Sequence, residues 1–270
     1  KRWSFLGLFF ALFACSEAPS QSEADIPDSA TAVLNQARFQ ELEGWTWSYL
    51  SGSFGKIRMG SLAPLQDEKG SVVLLPGYSA PVEIYFETLR ELRADGFGII
   101  AFDWPSQGGS SRPLVEREKI HALSMDGHLN AARAVLEHST GQGPFYMLAS
   151  SMGAQLGTRL LADEPKLFEA AVLITPAYGL NTQDTPEWLA KFMANLMPGE
   201  TYTPGPQGWT FDPEVLEGIS GCSSDLDRMQ LWQAWMIERP QLRIGGMTFD
   251  FLDALFESAE ASRADETLET

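Results

Sequence analysis

Histidine is scarce in these 270 residues: there are three, His121, His128 and His138, and none follows position 138. A nucleophile in the second half of the chain therefore has no histidine downstream of it. Cysteine is scarcer still, with Cys15 and Cys222 as the whole complement. That excludes a disulfide framework and a cysteine-based metal cage, and no zinc-ligand cluster is spaced elsewhere. Positive charge is in deficit. Lys and Arg total 19 against 36 Asp and Glu, a net charge of −17, which excludes nucleic acid or an anionic membrane bound through a basic surface. No apolar run reaches the roughly 20 residues that cross a bilayer. There is no internal repeat, and Gly108-Gly109-Ser110-Ser111 lacks the spacing of a phosphate loop, so it reads as a tight turn.

What is present is ordinary in bulk, with 44% hydrophobic and 20% charged residues, enough for one large core or a core with a small insertion. The start is distinctive. Lys1-Arg2 is a positive n-region and Trp3 to Ala14 an apolar h-region of twelve residues, the pattern of an export signal. It ends Leu12-Phe13-Ala14-Cys15, similar to a bacterial lipobox. Residues 1–15 are thus expected to be a signal peptide with Cys15 as the lipidated first residue of an envelope lipoprotein, held to a membrane by its N-terminal lipid. The alternative is an ordinary cleaved signal and a soluble periplasmic or secreted protein. Residues 16–40 read as tether and lead-in, with Ser16 to Asp28 rich in Ser, Glu, Ala and Pro. The sequence opens on Lys and closes inside a helical pattern, and a partial reading frame is expected.

Strand and helix patterns alternate from there. Trp45–Leu50 and Lys56–Leu62 read as an antiparallel edge hairpin. Ser71–Leu75 is a buried strand running into Pro76-Gly77, Pro81 to Asp95 a helix stopped by Gly96, and Gly98–Phe102 another buried strand. A surface helix is expected from Lys119 to His138, then strands at Phe145 and at Ala170–Ile174. This is an α/β pattern: a mostly parallel sheet with helices on both faces.

Phe145 to Ala154 combines a buried strand, a turn of small residues and the start of a helix. That is the layout of a nucleophile elbow, which puts a serine at the top of a parallel sheet. Ser151 is the candidate catalytic residue. The turn is tight, so positions two before and two after the serine must be small, and Ala149 and Gly153 are. The N–H of Met152, which opens the helix, is placed to point at a developing oxyanion.

Residues 41–179 read as the first part of the core and 180–250 as a helical cap with four of the eight tryptophans. Thr185-Pro186 is a helix start. Trp188, Phe192 and Leu196 then share a face, with Met193 beside it. This apolar face is expected either to pack on the core or to line an acyl pocket, which makes Trp188, Phe192 and Met193 candidate substrate-binding residues. Trp232 and Trp235 are expected to bind the cap to the core. Residues 251–270 read as an acidic surface helix linking back to the core.

Leu75-Pro76-Gly77-Tyr78, the segment Asp103 to Arg112, and Ser151-Met152-Gly153-Ala154 together resemble the lysophospholipase and monoacylglycerol-lipase-like branch of the α/β-hydrolases, among the serine aminopeptidase-like hydrolases. Tyr202-Thr203-Pro204-Gly205, Ser224-Asp225 with Arg228, and Pro240-Gln241-Leu242 add to it. The resemblance runs from about residue 45 to residue 256. It implies an α/β-hydrolase fold whose last strands are missing, and a serine carboxylester hydrolase. Such an enzyme releases a fatty acid from a lysophospholipid or monoacylglycerol, a lipid-like ester substrate, with no metal and no organic cofactor. It also implies the N–H of Tyr78 as second oxyanion donor and a structural role for Asp103. The sequence departs from the pattern at Ala149, where Gly is usual, at Ser150, where His is usual, and at Pro105-Ser106, where Arg-Gly is usual.

In this fold the base comes late, in the order Ser, acid, His, so the three upstream histidines are not expected to serve. Asp250, Asp253 and Asp265 lie in helical context and are not expected to be the triad acid. Two readings follow: a C-terminally truncated hydrolase, or a lipid-binding pseudo-hydrolase lipoprotein without turnover. The elbow alone also fits a peptidase, a thioesterase or a lactonase.

Overall fold

The computed structural model of the chain describes residues 26–66, 69–139, 143–180, 187–205, 207–218 and 223–264. The leader with Cys15, the first part of the tether, Thr185-Pro186, Cys222 and Asp265 lie outside the described residues.

Six strands form one sheet: β1 (Thr46–Gly52), β2 (Gly55–Leu62), β3 (Ser71–Leu75), β4 (Gly98–Phe102), β5 (Phe145–Ser150) and β6 (Ala170–Ile174). Their spatial order is β1-β2-β4-β3-β5-β6. The hairpin β1–β2 joins β4 antiparallel, and β4, β3, β5 and β6 run parallel. Parallel neighbours need crossovers. These are α1 (Phe86–Ala94), α2 (Asp126–His138) and α3 (Met152–Asp163).

The apolar runs of β3 and β4 explain their central place. Val73, Leu75, Ile100 and Phe102 point into a core with Leu129, Leu156 and Leu160. Val72, Leu74, Ile99 and Ala101 point the other way, into a core with Phe86, Leu89 and Trp235. Each such aliphatic, taken fully out of water, contributes roughly 1.5–3 kcal/mol. A one-residue slip would exchange the two faces, which fixes the register. At β6 the alternation exposes one face, and Val172 and Ile174 are open to solvent.

Two elements differ from the sequence reading. The helix expected from Lys119 begins only at Asp126, because Ile120 is drawn into a bridge with Met247: its N–H donates to Gly246 and its C=O accepts from Thr248. The expected acidic surface helix at 251–270 is instead a core helix, α6 (Phe249–Arg263), capped by Thr248. Phe251, Ala254, Leu255, Phe256 and Ala259 are buried, and its acidic residues occupy the opposite face. The segment Pro81 to Asp95 also opens as a 3-10 turn, Val82–Tyr85, before α1.

The cap region supplies α4 (Glu187–Leu196) and α5 (Leu226–Glu238). Leu231, Ala234 and Trp235 of α5 pack with Val33 and Leu34 of the lead-in, and Trp235 meets Phe86 edge-on at 5.9 Å. Trp235 packs on the core, as expected.

Candidate active site

β5 ends at Ser150 and α3 begins at Met152, so Ser151 alone makes the turn between them. Its backbone is at φ 50°, ψ −118°, a region that costs a non-glycine residue on the order of 1–3 kcal/mol. The surroundings hold it there. Its N–H donates to Ile174 C=O at 2.9 Å, and its C=O accepts from Gln155 N–H at 3.0 Å and Ala177 N–H at 3.2 Å. The small residues do what the tight turn requires. Ala149 is fully buried, and a Cβ at Gly153 would sit 2.2 Å from Leu75 O and 2.3 Å from Pro76 O. Any larger residue there would push α3 off β3. Behind the elbow, Gln155 Nε2 donates to Ser258 Oγ and Ser262 Oγ at 2.7 and 2.9 Å, fastening α6 to α3. Ser151 Oγ makes no hydrogen bond among the described residues.

The turn after β3 lies directly against this elbow: a Cβ on Gly77 would be 3.4 Å from both Ser150 Oγ and Ser151 Cβ. Apart from Ala80 N–H donating to Gly77 C=O at 3.4 Å, its hydrogen bonds are made by side chains. Gly77 N–H donates to Tyr85 Oη at 3.2 Å, and Tyr85 Oη is 2.8 Å from Ser150 Oγ. Ser79, at φ 57°, donates its N–H to Gln107 Oε1 at 2.6 Å and accepts from Trp232 Nε1 at 2.8 Å. Among the described residues, the N–H of Tyr78 between them and the N–H of Met152 make no hydrogen bond. The Tyr78 ring packs on Phe251 at 5.9 Å, and burial raises its pKa.

Asp103 is structural, as the resemblance implies. It accepts from Val82 N–H at 3.0 Å, Gly109 N–H at 2.8 Å and Arg58 Nε at 2.6 Å. Gly108, at φ 50°, has no room for a Cβ beside that carboxylate. Arg58 forks onto Glu83 at 2.8 and 2.7 Å, and Arg239 at the end of α5 reaches the same Glu83 at 2.9 Å. Burial pulls the Arg58 pKa down, but Asp103 and Glu83 more than offset it, so the guanidinium stays charged.

The histidines are placed elsewhere. His121 Nδ1 pairs with Thr248 Oγ1 at 3.1 Å. His128 is not on a surface: it is 1% exposed, between Trp104 and Phe251. Neither of its ring nitrogens makes a well-formed hydrogen bond. Burial pushes its pKa down to about 4, against a smaller opposing pull from the Pro105 carbonyl. Neither histidine bonds to Ser151.

The cap face is a correction. Trp188, Phe192 and Leu196 are 69%, 58% and 65% exposed, so among the described residues the face does not pack on the core, and Met193 beside it is half-buried. The reason lies in how α4 is held. It rests on α6 through a different edge, by Lys191 to Glu260, Asn195 to Asp253 and the buried Ala194. Sequence reading also gave no role to Tyr85, Gln107, Arg58 or Glu83, and gave Trp232 only packing between cap and core. Gln107 stood inside a quoted motif, but nothing local marked the others, whose partners lie 8 to 153 residues away.

Comparison with known proteins places this geometry. A family model described as serine aminopeptidase, S33, matches residues 66–267. Lysophospholipase L2 of Escherichia coli K12 is 24% identical over 189 residues, covering 67% of this chain and 54% of that protein. A probable lysophospholipase L2 of Haemophilus influenzae is 24% identical over 217 residues, covering 77% and 67%. The chain thus spans about half the length of the first relative and two thirds of the second. In fold it is similar to the monoacylglycerol lipase of Paleococcus ferrophilus, with TM-score 0.56, 21% identity and coverage of 76% and 71%. It is also similar to a soluble variant of monoglyceride lipase from Saccharomyces cerevisiae, with TM-score 0.57, 16% identity and coverage of 81% and 69%.

Proposed function

This chain belongs to the S33 serine aminopeptidase-like family of α/β-hydrolases, and from that premise we propose that it acts as a serine carboxylester hydrolase on a lysophospholipid or monoacylglycerol. The observation that carries the proposal is the elbow: a strained serine at the sheet end, facing a turn whose middle N–H is left unbonded. Ser151 Oγ attacks the acyl carbonyl and gives its proton to a histidine that none of the three positions in this sequence supplies. The oxyanion accepts from the N–H groups of Tyr78 and Met152, the alcohol leaves with the proton, and water then releases the fatty acid from Ser151. The names of the relatives favour a lipid ester over a peptide bond.

The test is a substrate panel on the full-length protein: lysophosphatidylcholine, a monoacylglycerol and an aminoacyl p-nitroanilide, each with the parent and Ser151→Ala. Turnover of the lipid esters should vanish in the variant. Hydrolysis of the anilide alone would move the assignment to a peptidase. Lipid binding without turnover in either protein would favour a pseudo-hydrolase. We also propose export as a lipoprotein through Cys15. Cys15→Ser should abolish palmitate labelling in a Gram-negative host, and equal soluble recovery of both forms would refute it.

A further inference from the structure

The Gly77–Tyr78–Ser79 turn carries three successive backbone N–H groups, and the outer two are each taken by a side chain. Tyr85 Oη accepts from Gly77, and Gln107 Oε1 accepts from Ser79 at 2.6 Å. The same Gln107 amide turns its Nε2 toward Met152 Sδ, 3.9 Å away. One side chain, 2% exposed, therefore touches both the residue after Tyr78 and the Met152 side chain. Trp232 fixes the C=O of Ser79 from the cap side, and the Tyr85–Ser150 contact joins the turn to the elbow.

We propose that Gln107 is a positioning residue of the oxyanion site. With Tyr85 and Trp232 it clamps the turn so that the Tyr78 N–H alone stays unbonded, and it keeps that N–H at a fixed spacing from the N–H of Met152. The inference rests on the ester-hydrolase reading above, which assigns those two donors their role. The physical logic is saturation and constraint. An amide already bonded cannot swing toward the substrate. Ser79, held at φ 57°, keeps its strained geometry only while its N–H and C=O are both satisfied. Gln suits this role because it offers an acceptor and a donor from one planar group. Leu would fill the volume and supply neither.

Two readouts on the full-length protein test the clamp. In Gln107→Leu, amide hydrogen exchange at Ser79 should rise at least about tenfold over the parent, while the β3 amides stay protected. Tyr85→Phe should do the same at Gly77. Kinetically, both variants should lose about 10- to 100-fold in kcat on a short p-nitrophenyl ester with KM within about twofold, since displacement of a donor by a fraction of an ångström acts on the transition state. Trp232→Phe, which keeps an aromatic ring but removes the indole N–H along with part of the ring volume, should reproduce the kcat loss in weaker form and guards against a folding failure in the others. Unchanged exchange at Ser79 in Gln107→Leu overturns the clamp. So does faster exchange with kcat unchanged. A parent no faster than Ser151→Ala sinks the ester-hydrolase reading instead, and with it the positioning role, while the Ser79 exchange rate still decides whether the clamp exists.

Discussion

His128 shows what a single buried titratable group does to this protein. Its imidazole is neutral in the fold because burial between Trp104 and Phe251 disfavours the charged form, and its pKa falls from the ordinary 6.5 to about 4. The unfolded chain takes up a proton below pH 6.5 that the folded chain refuses until about pH 4. The contribution is therefore fully present above 6.5 and is lost as pH falls toward 4, at no more than about 1.4 kcal/mol per pH unit. Urea midpoints at about pH 7 and about pH 5 should separate farther for the parent than for His128→Met. Equal separations would trace the acid sensitivity to carboxylates alone. The residue's role was not legible from its neighbours in sequence, since burial of one histidine on a mixed helix face depends on where Trp104 and Phe251 arrive.

At the scale of elements, what could be read in the sequence was what local pattern dictates. β3, β4 and β6 fall where the apolar runs put them, and the small residues around Ser151 marked the elbow because sterics alone demand them. What could not be read was decided at a distance. Residues 119–125 follow a helical pattern but answer to the pairing of Ile120 with Met247, and α6 looked superficial because its acidic residues hid a face that packs on α3. The two apolar faces in this half of the chain also have opposite fates. Phe192 on α4 is 58% exposed and Phe251 on α6 is fully buried. Phe192→Ser should shift stability by no more than about 0.5 kcal/mol, whereas Phe251→Ala should cost about 3–5 kcal/mol. Paired thermal melts measure both. A large loss at Phe192 would mean that the face is covered in solution.

Across the 270-residue sequence, the tight turn at Ser151 follows all three histidines. Residues 29–270 alone should thus show only trace esterase activity on a short p-nitrophenyl ester, on the order of 10³-fold over water at most. Ordinary lipase-level turnover by those residues, lost in Ser151→Ala, would show that His121, His128 or His138 had been recruited as base.

The Arg58 network carries a further consequence, for ionic strength. Arg58, Glu83 and Asp103 expose 7%, 0% and 1% of their side chains, so mobile ions cannot come between them. The pairs that tie the lead-in and α1 to α5 are different. Arg38 with Asp227 and Arg228 with Glu87 are 34%, 41%, 52% and 15% exposed, within reach of a counterion atmosphere about 8 Å thick at physiological salt. Added salt first relieves the mutual repulsion of a chain carrying −17 charges, and then weakens the hold of the lead-in on α5. The buried pairs around Asp103, which also hold Val82 N–H and Gly109 N–H, are untouched by either step. The protein should therefore respond to salt at its periphery, while the loop held by Asp103 keeps its geometry in dilute buffer and in brine.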